Sequence, residues 1–188
     1  VPVSLSGGIK SAEERVIAVD KNIVYVCGLE RIRNKNIVKY WKNGNSISLS
    51  SNSGNASDIE ISGSDVYVSG YDFAPGSYIP TAKYWKNSAE ILLSDGLIEA
   101  AAYGICISNN NVFVVGYNDS RAAIWRNGQL NYLASSGVAT DVCISGNDEY
   151  ISGMQHLDDQ NVAFYWKNGE GVKLSDKFSF ASCITVVP

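Results

Sequence analysis

His156 is the only histidine in the 188-residue chain, and two acids, Asp158 and Asp159, follow close behind it. A hydrolytic triad uses an imidazole to carry the proton, and no Gly-x-Ser-x-Gly elbow accompanies this one, so His156 reads as a loop residue. Glycoside hydrolysis asks only for two carboxyl groups about 5–10 Å apart. Asp58 with Asp141, or Asp158 with Glu170, would serve, but nothing in their spacing selects them. Metal binding has the better residue types. Asp58, Glu60 and Asp141 offer hard oxygens for calcium, while Cys106, Cys143 and Cys183 offer thiolates for a softer metal. Against a metal, Asp58 and Asp141 each stand two residues after an alanine, at a strand entrance where a carboxylate accepts backbone amides. The structural role is the expectation: no catalytic residue, no metal and no cofactor, with calcium as the alternative.

The four cysteines are spaced 79, 37 and 40 residues apart, which fits no zinc pattern built on a Cys-x-x-Cys pair. The chain is long enough to bury a core without staples, so free thiols are expected ahead of disulfides. The net charge is -4, which supplies no basic footprint for nucleic acid. No run approaches the ~20 apolar residues of a membrane helix, so no membrane span is expected. The chain starts Val1-Pro2-Val3 and its single methionine is Met154. That start fits an exported protein whose leader has been removed, so an extracellular or periplasmic location is expected.

The elements that must position these side chains come from a repeat. Val38-Lys-Tyr-Trp-Lys-Asn-Gly44, Ala82-Lys-Tyr-Trp-Lys-Asn87, Ala122-Ala-Ile-Trp-Arg-Asn-Gly128 and Ala163-Phe-Tyr-Trp-Lys-Asn-Gly169 are four copies of one segment. Eight residues after each Trp comes a Leu: Leu49, Leu93, Leu133 and Leu174. A second block precedes each Trp and runs from a β-branched residue to a glycine nine positions later: Val19 to Gly28, Ile61 to Gly70, Ile107 to Gly116, Ile144 to Gly153. Both blocks are strand-like, rich in β-branched and aromatic residues with no helical period. The first reads as strands a and b, the second as strands c and d joined by an Asn-Gly turn, with a looser turn expected where Ser88 replaces the glycine.

A four-stranded antiparallel unit recurring every ~40–45 residues predicts an all-β chain, and specifically a β-propeller. The repeats run approximately over 16–50, 57–94, 103–134 and 140–175 of a single domain covering 1–188. A lone strand d at 2–6 and a lone strand a at 181–187 would add a partial fifth blade; a four-bladed ring with tails is the alternative. An open edge in such a partial blade would invite a homodimer. The stretch Ala163-Phe-Tyr-Trp-Lys-Asn-Gly-Glu-Gly-Val-Lys-Leu174 resembles the probable extracellular repeats of the HAF type, with their Ala-Phe-x-Trp, glycine turn and leucine. That resemblance implies an exported propeller-like repeat protein and supplies no catalytic residues.

The spacing of the blocks also says where function would sit. The interval from the strand-b glycine to the Trp is 13, 15, 9 and 13 residues in the four copies, while the a–b and c–d turns keep one length. The b–c and d–a connections of a meander emerge at one end, so the variable loops would share a face, and binding residues concentrate on such loops. The candidates there are Arg31, Arg33 and Lys35; Tyr71, Phe73 and Tyr78; Tyr117, Asp119 and Arg121; and His156, Asp158 and Asp159. On strand a, Asp58, Glu60, Cys106, Asp141, Cys143 and Cys183 would line a central channel. The expected function is a non-enzymatic exported module that binds a protein or a glycan through the loop face. A carbohydrate hydrolase or lyase using the same face, and a structural module of a larger surface protein, are the alternatives.

Overall fold

The computed structural model describes residues 11–187. Those residues are all-β: β1 (Ser11–Asp20), β2 (Ile23–Ile32), β3 (Lys35–Lys42), β4 (Asn45–Ser62), β5 (Asp65–Phe73), β6 (Pro80–Lys86), β7 (Ala89–Leu92), β8 (Ala100–Ser108), β9 (Asn111–Asn118), β10 (Arg121–Arg126), β11 (Gln129–Tyr132), β12 (Val138–Ser145), β13 (Asp148–Leu157), β14 (Gln160–Lys167) and β15 (Glu170–Lys173). No helix occurs among the described residues, so none is long and apolar enough to cross a membrane. Every pairing is antiparallel between sequence neighbours. The chain divides at Ile98/Glu99 into two compact units, each carrying two repeats.

In the first unit the two repeats share β4, whose start pairs with β3 and whose end pairs with β5. The d–a connection expected there as a loop is therefore continuous strand. In the second unit the repeats are separate meanders, β8 to β11 and β12 to β15.

The repeated Asn fixes each c–d turn. Asn43, Asn87, Asn127 and Asn168 all take a left-handed φ near 50° (48, 49, 50 and 52°). Each side-chain Oδ1 accepts the backbone N–H that opens strand b, from Val24, Val66, Val112 and Glu149, at 2.8–2.9 Å. One side chain thus ties the c–d turn to the neighbouring hairpin. The looser turn expected at Ser88 does not form: Ser88 takes φ 72°, beside 82, 84 and 86° at Gly44, Gly128 and Gly169. The Asn bond and the flanking ladder hold the turn in shape despite the steric cost to a residue with a Cβ.

Strand a of every copy carries a register shift at one place, between Glu14 and Val16, Ala56 and Asp58, Ala102 and Gly104, Ala139 and Asp141. Such bulges sharpen the local twist. Within the second unit Gly104 lies so close to β12 that an added Cβ would stand 2.8 Å from the Asp141 Cα.

Sheets stack face to face through one recurring joint. In the first unit Tyr25, Cys27, Val38, Tyr40 and Leu49 of the first repeat pack on Ile59, Val66, Val68 and Trp85 of the second. In the second unit Val115, Ala122 and Ile124 pack on Val142, Ile151 and Trp166, so the same register positions meet in both. Trp41, Trp85, Trp125 and Trp166 are all at most 1% exposed, and truncating a residue of this kind costs about 3–5 kcal/mol. All four cysteines are free, and burial, helped by the Asp58 carboxylate, pushes the Cys27 thiol up to about 12, so it acts as a small apolar core group.

Ion pairs that the repeat pattern conceals are buried in the first unit. Lys83 Nζ lies 2.6 Å from Asp72 and 3.0 Å from Glu90, and Ser50 Oγ donates to Asp72 at 2.5 Å. Lys39 pairs with Glu30 at 2.5 Å at the matching position of the first repeat. Both lysines stand two residues before the Trp, where the second unit places Ala123 and Phe164.

Residues 181–187 do not form the expected strand a. Side chains supply much of their anchoring: Thr140 Oγ1 donates to the Ala181 carbonyl at 2.8 Å and Asp141 Oδ2 accepts the Ile184 N–H at 2.9 Å. The expected strand at 2–6 lies outside the described residues.

Two outcomes follow for stability. Ser88→Gly relieves the left-handed serine and should raise stability by about 0.5–1 kcal/mol, read as a higher urea midpoint at unchanged slope. Lys83→Met leaves Asp72 uncompensated and should cost about 3–5 kcal/mol, with most of the loss recovered in Lys83→Met/Asp72→Leu; a double variant no better than the single would show that the pair is not the source of the loss.

Candidate functional site

The variable b–c interval proves to be mostly strand. β2–β3, β9–β10 and β13–β14 turn through two residues each, Arg33-Asn34, Asp119-Ser120 and Asp158-Asp159. Lengthening comes as two extra residues on each strand, which keeps every side chain on its face of the sheet. Arg31, Lys35, Tyr71, Phe73, Tyr117, Arg121 and His156, expected in loops, therefore sit on strands, while Arg33, Asp119, Asp158 and Asp159 occupy the turns. The second copy alone has a longer loop, 74–79, where Tyr78 is 95% exposed and Tyr71 meets Phe73 edge-on at 5.7 Å.

Most of these side chains are held by neighbours on their own sheet. The Arg121 guanidinium lies over the Tyr132 ring, 3.7 Å from its centroid, donates to its hydroxyl at 2.8 Å and pairs with Asp119 at 3.0 Å. Tyr117 leans on Tyr103 at 6.1 Å. His156 Nδ1 is 3.2 Å from Asn161 Oδ1. These contacts brace hairpins within each sheet.

The strand-a positions divide between the units. Asp58 and Glu60 lie on β4, Cys106 on β8, and Asp141 and Cys143 on β12, with Cys183 in the C-terminal segment. Cys106 packs against the core between the two sheets of its unit. Asp58 Oδ1 accepts the Ile59 N–H at 2.7 Å and Asp141 Oδ1 the Val142 N–H at 2.8 Å, the structural role available to a carboxylate beside a bulge. Among the described residues no three His, Cys, Asp or Glu side chains converge to hold a metal ion.

A concave site lies instead at the opposite end of the second unit, among its a–b and c–d turns. It is a cleft of about 370 Å³ lined by Asn109, Asn111, Phe113, Arg126, Asn147, Asp148, Glu149 and Asn168, with Ser108, Ile144 and Gly146. It arises from one departure from the repeat. In the second and fourth copies, the lysine after the Trp pairs with an acid opening strand b of its own sheet, Lys86 with Asp65 at 2.8 Å and Lys167 with Asp148 at 2.9 Å. The third copy has Asn111 there, so Arg126 reaches across to the next sheet and grips Glu149 with two hydrogen bonds, 2.8 and 2.6 Å. The guanidinium spans the joint and lines the cleft.

Its electrostatics favour fixed charge. Hydrogen bonds from Lys167 and Asn168 hold the Asp148 carboxyl below its ordinary 3.8, and Lys167 is pushed up to about 12 chiefly by the same bond. Asp65 is lowered in the same way by Lys86 and Asn87. Asp148 and Glu149 are sequence neighbours on a strand and project to opposite faces. Repeat alignment locates this site only if the Arg for Lys and Asn for Asp exchanges of the third copy are read together.

No protein-family model matches the chain, and no curated protein aligns with it.

The depressed carboxylates set a pH dependence. Asp65 and Asp148 contribute stability above their unfolded value of 3.8 that is lost as pH falls through their lower folded values. Lys167 contributes below its unfolded 10.5, and this is lost as pH rises through about 12. The urea midpoint should fall on both flanks, and Asp148→Asn should flatten the acid one; an unchanged acid flank in that variant would remove Asp148 from the account.

Proposed function

We propose that the four repeats are blades of a β-propeller and that the chain is a non-enzymatic binding module whose ligand is a short saccharide. One observation carries the ligand class: the cleft of the second unit is walled by side-chain amides and carboxylates, with the Phe113 ring and the Arg126–Glu149 pair at its joint. A hydroxyl-rich ligand with an apolar ring face matches that mixture. The propeller reading is supported by the recurrence of one face-to-face joint in both units. The HAF-like Ala163-Phe-Tyr-Trp segment belongs to this reading, and with it the export that the likeness implies.

Binding is favoured over hydrolysis by the carboxylates. A general acid for glycoside cleavage needs a raised pKa. Asp148 is shifted the other way, and Glu149 is clamped by Arg126. A protein partner is the second reading, favoured by the projecting Tyr78 with the adjacent half-exposed Ile79 on the 74–79 loop.

Asn147 lines the cleft on an exposed turn, so Asn147→Trp fills it without touching the joint. Soluble oligosaccharides screened by saturation-transfer NMR should include a binder that this variant weakens at least tenfold, about 1.4 kcal/mol. If every saccharide is silent, or if binding survives Asn147→Trp and is lost in Tyr78→Ala, the cleft is not the site.

A further inference from the structure

The joint that builds each unit is directional. The leading sheet offers the face bearing Tyr25, Tyr40, Ile47 and Leu49, and the trailing sheet offers Ile59, Ile61 and Val66. Ile59 and Val66 are 4% and 6% exposed there, and Leu49 is 8% exposed. In the second unit Val142, at the position of Ile59, is 5% exposed.

The first and last repeats break this pattern at matching positions. Ile17, Val19 and Val24 occupy the places of Ile59, Ile61 and Val66, yet they are 64%, 63% and 38% exposed. Val172 and Leu174 occupy the places of Ile47 and Leu49, yet they are 41% and 54% exposed. The C-terminal segment extends this second flank with Phe178 and Phe180, stacked edge-on at 5.9 Å and 65% and 64% exposed. The same segment is anchored on the last repeat through Thr140 and Asp141, so it forms part of the flank it lies on. The first repeat therefore shows the trailing half of the joint unburied, and the last repeat the leading half.

We propose that these flanks are an interface between copies of this chain, joined head to tail, with the Leu174–Phe180 flank of one copy seated on the Ile17–Val24 flank of the next. The argument rests on complementarity within the repeat. Positions that bury each other inside the first unit are presented, unburied, on the first and last repeats, and a second copy is a partner certain to carry the matching half. Burying a Leu, Ile or Phe side chain contributes roughly 1.5–3 kcal/mol, so several per copy supply a usable driving force. The contact is heterologous, and the rotation between copies decides whether it closes as a ring or runs on. It is a face-on contact, unlike the edge pairing expected of a partial blade.

The test uses the full 188-residue chain and light scattering over a wide concentration range. The wild type should have at least twice the monomer mass. Ile17→Lys/Val19→Lys and Leu174→Lys/Phe180→Lys each spoil one flank and should each be monomeric. Mixed, they still share one intact joint and should form a 1:1 dimer, which a misfolded variant could not do. A monomeric wild type at its highest soluble concentration, variants that keep the wild-type mass, or a mixture that stays monomeric would each overturn the proposal.

Discussion

A small four-stranded sheet with apolar side chains on both faces cannot leave either face in water, and this constraint governs the molecule. Strand c places Trp on one face and Tyr or Ile on the other, so each sheet needs two neighbours. The Trp side chains are the largest buried groups, and within each unit the second sheet's Trp, Trp85 or Trp166, fills the joint. With ~25 cal/mol gained per Å² of apolar surface removed from water, stacking of its two sheets, rather than any single sheet's hydrogen bonding, holds each unit together. The same constraint makes the exposed faces of the first and last repeats conspicuous, because they carry joint residues without the joint.

Stacking of this kind tolerates little slippage, and local chemistry holds it in register. The turn asparagines fasten strand b to the c–d hairpin in every copy. The strand-a bulges recur at one position and re-aim the strand where sheets approach, as at Gly104 beside Asp141. Where the copies differ in the b–c interval, they do so by even additions, which on paired strands leave the faces unchanged. Variation is thus admitted at the b–c end and refused at the a–b and c–d end.

Charge is distributed by the same logic. Lys39 and Lys83 are buried with carboxylates in the first unit, whereas Ala123 and Phe164 fill those positions in the second. Replacing one strand-opening acid by Asn111 turns a pair within one sheet into the Arg126–Glu149 pair between sheets. That exchange creates polar concavity at the end where turn lengths never vary. Loop variability alone does not point to that end.

The sequence by itself determined the all-β character, the antiparallel meanders and the places of the Asn-Gly turns, because alternation and left-handed turn residues are local properties of a few neighbours. It also pointed to structural roles for Asp58 and Asp141, through their place after an alanine at a strand entrance. Only the tertiary structure decided that β4 serves two sheets, that residues 181–187 lie down without a ladder, and that Ser88 keeps the tight turn. It alone revealed the buried Lys83–Asp72 pair and the cleft at Arg126. Each of these depends on what stands across a sheet or a joint, dozens of residues away in the chain, and burial and ion pairing are set by that neighbour and not by the residue's own sequence context.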